Sequence, residues 1–531
     1  MMVLGIAWFA VGALGKAPIG IAERETKTGL ALHAGKKAIL GYVAHYAART
    51  AGVGSAEPGQ MPCPEALDSL GGPDEGVAMA CGNGTATLGR LPWKTLGIDQ
   101  LRDGDGEPLW YVLSQGFRAA PINFGTPPQL PFDGASVVAL IIAPGRPLNT
   151  TGLAGPPPPG CAAVNQQVAT RNTVAPPGVP ALVPGNFVEC GNAAGVYANV
   201  GTSAWSNDRA IAITAAEWQD AIAGAIADRL QRQVAPTLNA WRNGEPVANW
   251  AVSFLPYAST FSNHTTNDLC GDNNEREGLF PAARAATTCT QWAGGNVTQL
   301  AGLLGGVNCS QVAGVGYRCT FVNLSLFTPL VARVRATAPN VGGSFRGRIA
   351  GGDINSTHGG ALVAGTFSLT IDTGSGDGDL DFQLSYPLGS FLQTITVNFP
   401  NLPDAAIMAD PNVAWFFDND WGRYTYYVLA RGNRLSGGSP CAGPGDPDCL
   451  TLNGLPASNG NANDKQLILT LMGRAVGNQV QPSNNRANYL ESRTSATVFT
   501  AATVSSTFND RLATCPFQQT PDAAPVLVLC N

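Results

Sequence analysis

Apolar residues open the chain as an unbroken block, with neither the alternation of a strand nor the stripe of an amphipathic helix. MMVLGIAWFAVGALG carries no charge, and after Lys16 the chain stays uncharged to Ala22. A helix of about 22 residues spans roughly 33 Å, enough to cross a bilayer core. Lys16 would lie about 23 Å along it, within snorkelling reach of an interface. No Lys or Arg precedes the block, unlike an ordinary signal peptide, although GIA before Glu23 is a weak cleavage-like site. From Glu23 to Arg49 the pattern turns amphipathic: Leu32, Ile39, Val43 and Tyr46 recur at helical spacing. Glu23 and Lys27 form an i, i+4 pair. Gly20, Gly29, Ala34, Gly35 and Gly41 would admit a second helix closely. Pro18 removes one helical hydrogen bond and permits a kink. Residues 1–50 are therefore expected to form one long helix, apolar first and amphipathic later.

A second helix is predicted over 214–243. Thr214 and Glu217 make a capping box. Trp218, Ile222, Ile226, Leu230, Val234, Leu238 and Trp241 then recur every fourth residue, which reads as a core-facing stripe. Pro236 should disturb the last turns, and Gly244 is a plausible stop.

The segments on either side of this helix share an order of landmarks. Before it come GQMPCPE (59–65), GRLP (89–92), the turn and aromatic strand DGDGEPLWYVLSQGFR (103–118), the apolar strand SVVALIIAPGR (136–146), NFVE (186–189) and NDR (207–209). After it come SFLPYAS (253–259), GLFP (278–281), FDNDWGRYTYYVLARGNR (417–434), QLILTLMGR (466–474), NYLE (488–491) and NDR (509–511). Glu189 precedes Asp208 by the same interval as Glu491 precedes Asp510. One fold used twice is the reading of this order. The first copy carries a Pro-rich loop, 153–185. The second carries an insertion, 282–401, whose segments SFRGRI, GTFSLTIDTG, LDFQLSY and FLQTITVNF alternate like strands and predict a small β-sandwich or an enlarged sheet. The expected organisation is a spine helix over 1–50, a first head over 51–213, the helix 214–243, a second head made of 244–281 and 402–531, and the β-rich insertion 282–401. The fold class is α+β.

Composition narrows the setting. Charged residues make up only 13%, with 64 Gly and 39 Pro, well below the usual ~25% charge of soluble domains. Net charge is −6 and no basic stretch occurs, which excludes the electrostatic footprint of nucleic-acid binding. The 12 cysteines show no metal-ligand spacing. They fall instead as neighbours: Cys63 and Cys81, Cys161 and Cys190, Cys270 and Cys289, Cys309 and Cys319, Cys441 and Cys449, Cys515 and Cys530. Local disulfides in an oxidising compartment outside the cytoplasm are the natural reading, with connectivity not fixed by sequence.

A long apolar helix followed by disulfide-tied heads resembles the type IV pilin and type II secretion pseudopilin superfamily. Two features carry the likeness: the helix with its internal proline, and the Asp-rich turn before an aromatic strand, DGDGEPLWY (103–111) and DNDWGRYTYY (418–427). AGKKAILGYVAHYA, GQMPCPEA and GRLPWKTLGIDQLRDGDGEPLWYVLS are similar to a group of large pilin-like bacterial proteins. The likeness covers 1–150, returns over 402–515 and is absent over 282–401. It implies two tandem pilin-like heads and a structural subunit of an extracellular filament at the cell surface, stored first in the bacterial inner membrane. Its partners would be copies of itself and the pilus assembly machinery. Met1, Val3, Leu4, Ile6, Trp8, Phe9, Val11, Leu14, Pro18 and Ile19 would then line the filament core, and the heads would serve adhesion. With Met1 as the mature N-terminus, Gly5 stands where most pilins carry Glu, a habit of tip subunits. The rival readings are a minor tip subunit, or a membrane-anchored secreted binding protein or hydrolase that does not polymerise.

Little in the sequence points to catalysis. There are 4 histidines (33, 45, 264 and 358), and no HExxH, GxSxG or P-loop pattern; an enzyme is not expected. Asp103, Asp105 and Glu107 alternate along one turn, and Asp418 and Asp420 along another, while Asp372, Asp377, Asp379 and Asp381 crowd a third. Hard oxygen ligands on loops suit calcium, which pseudopilins often bind, although Asp-Gly pairs are also ordinary turn residues.

Overall fold

A computed structural model describes residues 2–48, 57–80, 88–157, 161, 163–167, 171, 182–189, 197, 203–236, 238, 258–262, 269, 277–281, 411–430, 441, 444–447, 449–454 and 462–518, together with the strand backbone between 296 and 398 and at 526–527. For 2–19, 513–518 and those inserted strands only the backbone is described. The chain is α+β, with one long N-terminal helix and several small antiparallel sheets. It divides into two compact units, the first built from 1–49 and 56–225, the second from 50–55 and 226–531.

In the first unit α1 (Met2–Ala48) is a single helix, continuous across Pro18. Its buried positions, Ala31, Leu32, Gly35, Ile39, Val43 and Ala47, repeat close to every fourth residue, so one stripe faces the head. The head presents a four-stranded antiparallel sheet to it. The strands are β1 (Leu88–Arg90), β2 (Trp110–Leu113), β3 (Ala139–Ala143) and β4 (Arg209–Ile213), in that spatial order. Strands β2 and β3 are apolar on both faces and buried throughout, as a sheet covered on both sides requires. Trp110, Val112, Leu140 and Ile142 pack against Leu130, Leu182 and Phe187. Ile141, with Leu91 and Leu109, meets the helix at Gly35, where a Cβ would lie 3.4–3.5 Å from these three side chains.

Helix α2 (Ala215–Arg229) follows β4 directly. The capping box forms: the Glu217 amide donates to Thr214 Oγ1 at 3.3 Å, and Glu217 Oε2 accepts the Thr214 amide at 3.0 Å. Leu230–Val234 then form a π turn, and the Ala235 amide reaches the Leu230 carbonyl. The loosened turn immediately precedes Pro236, which has no N–H and would crowd the carbonyl four residues back.

In the second unit β5 (Glu277–Leu279), β6 (Thr425–Leu429), β7 (Lys465–Leu471) and β8 (Arg511–Gln518) form an antiparallel sheet in the same spatial order as the first four strands, extended beyond β8 by Val526–Leu527. One face packs Leu279, Tyr426, Val428 and Ile468 onto Leu452, Tyr489 and Phe499. On the other, Phe280 meets Phe416 edge-on at 4.9 Å and Tyr427 at 5.6 Å.

The insertion does not enlarge that sheet. Its backbone forms two five-stranded antiparallel sheets of its own. One runs Gly352–Asn355, Arg346–Ile349, Leu392–Asn398, Gly316–Val322, Val307–Val312; the other Ala361–Ala364, Phe367–Asp372, Asp379–Tyr386, Leu330–Thr337, Asn296–Ala301.

Candidate functional site

The feature that most sets this chain apart is the length of α1 beyond its docking stripe. From Ile21 to Lys27 every residue is exposed, and large apolar side chains stand in solvent, Ile21 at 53% and Leu30 at 68%. Met1 lies outside the described residues. The backbone of Val3, Leu4, Ile6, Trp8, Phe9, Val11, Leu14, Pro18 and Ile19 belongs to α1, and their side chains lie outside the described set. Among the described residues no helix is long and apolar enough to cross a membrane.

Where α1 leaves the head, the Asp-Gly loop grips it. Asp103 is buried, and its carboxylate organises the loop: Oδ1 accepts the Asp105 and Glu107 amides, both at 2.9 Å, and Oδ2 accepts the Gly145 amide at 2.8 Å. Burial pushes this carboxyl up, against the three amides that pull it down. So arranged, the loop turns the Gly104 amide onto Thr28 Oγ1 of α1 at 2.9 Å and sets Asp105 3.7 Å from Arg24. Glu107 faces the buried guanidinium of Arg171 at 3.4 Å. A second clamp lies further along the helix. Lys36 donates to the Ala212 carbonyl of β4 at 2.8 Å and pairs with Glu217 at 2.5 Å. Burial raises the Glu217 carboxyl, but Lys36 and the Thr214 bonds outweigh it and hold the group below its usual range.

A cleft of about 290 Å³ opens between α1 and the ends of β3 and β4, bordered by Arg24, Glu25, Asp105, Arg146, Asn207 and Arg209. Its charges are largely matched within it, Arg209 lying 3.3 Å from Glu25.

The other candidate ligands are placed as follows. Asp418 is exposed at the end of the short helix Ala414–Asp418, and Asp420 adopts a left-handed conformation (φ 56°) leading into the turn Trp421–Tyr424. Asp372 and Asp381 are register partners in the insertion, while Asp377 lies outside the described residues. Among the described residues no group of three or more His, Cys, Asp or Glu side chains could hold a metal ion.

Cys441 and Cys449 form a disulfide. Cys63 and Cys161 are also disulfide-bonded. Cys309 and Cys319 face each other in strand register. Cys515 lies on β8 with only its backbone described, and Cys81, Cys190, Cys270, Cys289 and Cys530 fall outside the described residues.

Both units repeat one further constellation where the chain returns into its last strand. In the first, Glu189 Oε2 accepts the Asn207 amide (3.1 Å), Asp208 Oδ2 accepts the Glu189 amide (2.7 Å), Gln166 donates to Glu189 Oε1 (2.6 Å), and Asn207 Nδ2 donates to the Arg146 carbonyl (2.7 Å). In the second, Glu491 Oε2 accepts the Asn509 and Asp510 amides (2.9 and 3.1 Å), Asp510 Oδ2 accepts the Ser492 amide (2.7 Å), Gln479 donates to Glu491 Oε1 (2.6 Å), and Asn509 Nδ2 donates to the Arg474 carbonyl (2.7 Å). These carboxyl groups act as structural clasps, accepting backbone and side-chain amides in each unit. Sequence spacing located both pairs. It missed Arg171 and Gln481, which sit in loops with no pattern of their own, and Lys36 and Thr28, polar positions of α1 whose partners lie far away in the sequence.

No protein-family model, curated protein or solved structure matches the chain.

Proposed function

We propose that this chain is a structural subunit of an extracellular filament of the type IV pilus class, with two tandem pilin-like heads, disulfide-tied, that α1 carries into the polymer. The observation that carries the reading is the division of α1. Its later turns are bound to the first head by the Leu32–Ala47 stripe and Lys36, and the Asp-Gly loop holds it at Arg24 and Thr28, whereas Ile21 stands exposed, preceded by the apolar block. A helix of 47 residues is about 70 Å long, far more than the docked stripe needs. Burying its free part among identical helices would remove Ile21 and the apolar block from water, and a heterologous contact that does not close gives a fibre. The second unit, with its inserted sheets, would be displayed outward for attachment. The recurrence of one strand order and one clasp in both units supports reading the heads as a duplicated fold.

Negative-stain imaging of sheared cell-surface material, with antibody against the second unit, tests this. Labelling along whole fibres is expected, and Gly12→Leu or Gly15→Leu should sharply reduce fibre yield. Labelling at fibre ends alone would indicate a tip subunit. Retention in the inner membrane with no fibres would replace the polymer by an anchored monomer.

A further inference from the structure

The cleft beside α1 holds one cation that its own carboxylates leave unmatched. Arg209 pairs with Glu25 at 3.3 Å. Arg24 stands 3.7 Å from Asp105, beyond hydrogen-bond distance. Arg146 is exposed, and among the described residues its guanidinium has no partner. Asp103, the remaining acid on the wall, has both oxygens on backbone amides. The cleft therefore offers guanidinium donors to an oxyanion, the carboxylates of Glu25 and Asp105 to a cation, and apolar contact at Ile21 and Leu148. A zwitterion with a short apolar stem satisfies that set.

The position of the cleft narrows the choice. Its α1 wall runs from Ile21 to Thr28, where the apolar block gives way to Glu23, Arg24 and Glu25. With that block held in lipid before assembly, a stage of the function proposed above on which this inference rests, the boundary with water falls on that wall. About 29 Å of helix separates Met2 from Ile21, close to the ~30 Å of a hydrocarbon core. The phosphate layer of the bilayer would then lie level with the cleft, and the exposed Ile21 would face the lipid just beneath it.

We propose that the cleft seats the zwitterionic headgroup of a phospholipid, with the phosphate on Arg146 and Arg24, the amine at Glu25, and the glycerol end against Ile21 and Leu148. A guanidinium binds phosphate through two parallel N–H donors. Arg24 can turn to it without giving up a hydrogen bond to Asp105. At about 290 Å³ the cleft admits a headgroup but not acyl chains, which stay in the bilayer beside the apolar block. The bound lipid would fix the height and rotation of the first head over the membrane while the subunit waits to be assembled.

Titration of the full chain, in a neutral detergent free of phosphate groups, with short-chain phosphatidylethanolamine tests this, read by native mass spectrometry. Saturable binding of one lipid is expected. Arg146→Ala should weaken it about ten- to a hundredfold; the side chain is exposed and unpartnered, so the melting midpoint should stay unchanged. Glu25→Gln should weaken binding of the ethanolamine lipid while leaving that of short-chain phosphatidic acid, which has no amine, unaltered. Binding that survives Arg146→Ala undiminished overturns the headgroup site. So does inorganic phosphate binding as tightly as the lipid, which would leave a free-anion site only. Loss of lipid in Arg146→Ala supports the site whether or not fibres form, so it and the polymer fail separately.

Discussion

Replacing Gly104 by alanine tests how α1 is held to the first head. A Cβ at this position would lie 2.7 Å from both the Cα and the carbonyl carbon of Arg24, and closer still to its oxygen. The obstacle is helix backbone, so no side-chain rotation relieves it, and the loop must retreat. Overpacking of this kind costs about 1–3 kcal/mol, and retreat also removes the Gly104–Thr28 hydrogen bond, worth about 1 kcal/mol. The Arg24–Asp105 pair is long and solvated and adds almost nothing. A loss of about 2–4 kcal/mol should lower the melting midpoint of a unit this size by about 5–15 °C. It should also hasten tryptic cleavage after Arg24 and Lys27. The control lies on the same helix: a Cβ at Gly41 meets nothing within 4 Å, so Gly41→Ala should gain up to about 1 kcal/mol of helix propensity. Opposite signs from one substitution type at two helix-side glycines are the signature. A Gly104→Ala protein with unchanged midpoint and cleavage would refute the claim that this loop clamps the helix.

Two further outcomes are expected in the same unit. Trp218→Ala removes a buried ring that packs edge-on to Phe117 at 4.9 Å and donates to the Gly59 carbonyl at 3.0 Å, and calorimetry should register a loss of about 3–5 kcal/mol. Lys36→Met should cost about 1–2 kcal/mol, most of it from the Ala212 carbonyl left without its donor, because Glu217 is too exposed for its pair to contribute much. Glu217 is held below its usual range, so its contribution is present at neutral pH and fades as pH falls through the folded value; acid titration of the melting midpoint should be shallower in the Lys36→Met protein.

Local signals made much of this molecule legible. The uncharged block and the Leu32–Val43 stripe give α1, Thr214 and Glu217 give the start of α2, and the paired strings around Trp110 and Tyr426 give the central strands. What stayed hidden depends on distant partners. DGDG announces a turn, but nothing near it says that the turn will close on Thr28, at a sequence separation of 76. Asp103 and Asp105 alternate like calcium ligands, yet Asp103 points its oxygens at amides of its own loop and of Gly145. Alternation marked the inserted strands, whereas their sorting into two separate sheets rests on pairings such as Gly316–Asn398 that no window of sequence contains.

The recurring Glu and Asp were conspicuous in the sequence for a reason that is architectural. Where each return loop enters its last strand, backbone N–H groups at Glu189 and Asn207, and at Ser492, Asn509 and Asp510, point away from the sheet ladder. A buried amide without a partner costs more than most single contacts contribute, and a carboxylate offers two oxygens to satisfy several at once. Each loop is therefore fixed by acceptors placed at one spacing, and that spacing survives in both halves. Charge around the clasp is a separate matter. The Arg171 guanidinium, which also faces Glu107, binds two return-loop carbonyls in one half, and the neutral Gln481 binds their counterparts in the other. Geometry thus repeats where the backbone demands it, and electrostatics is free to diverge around it.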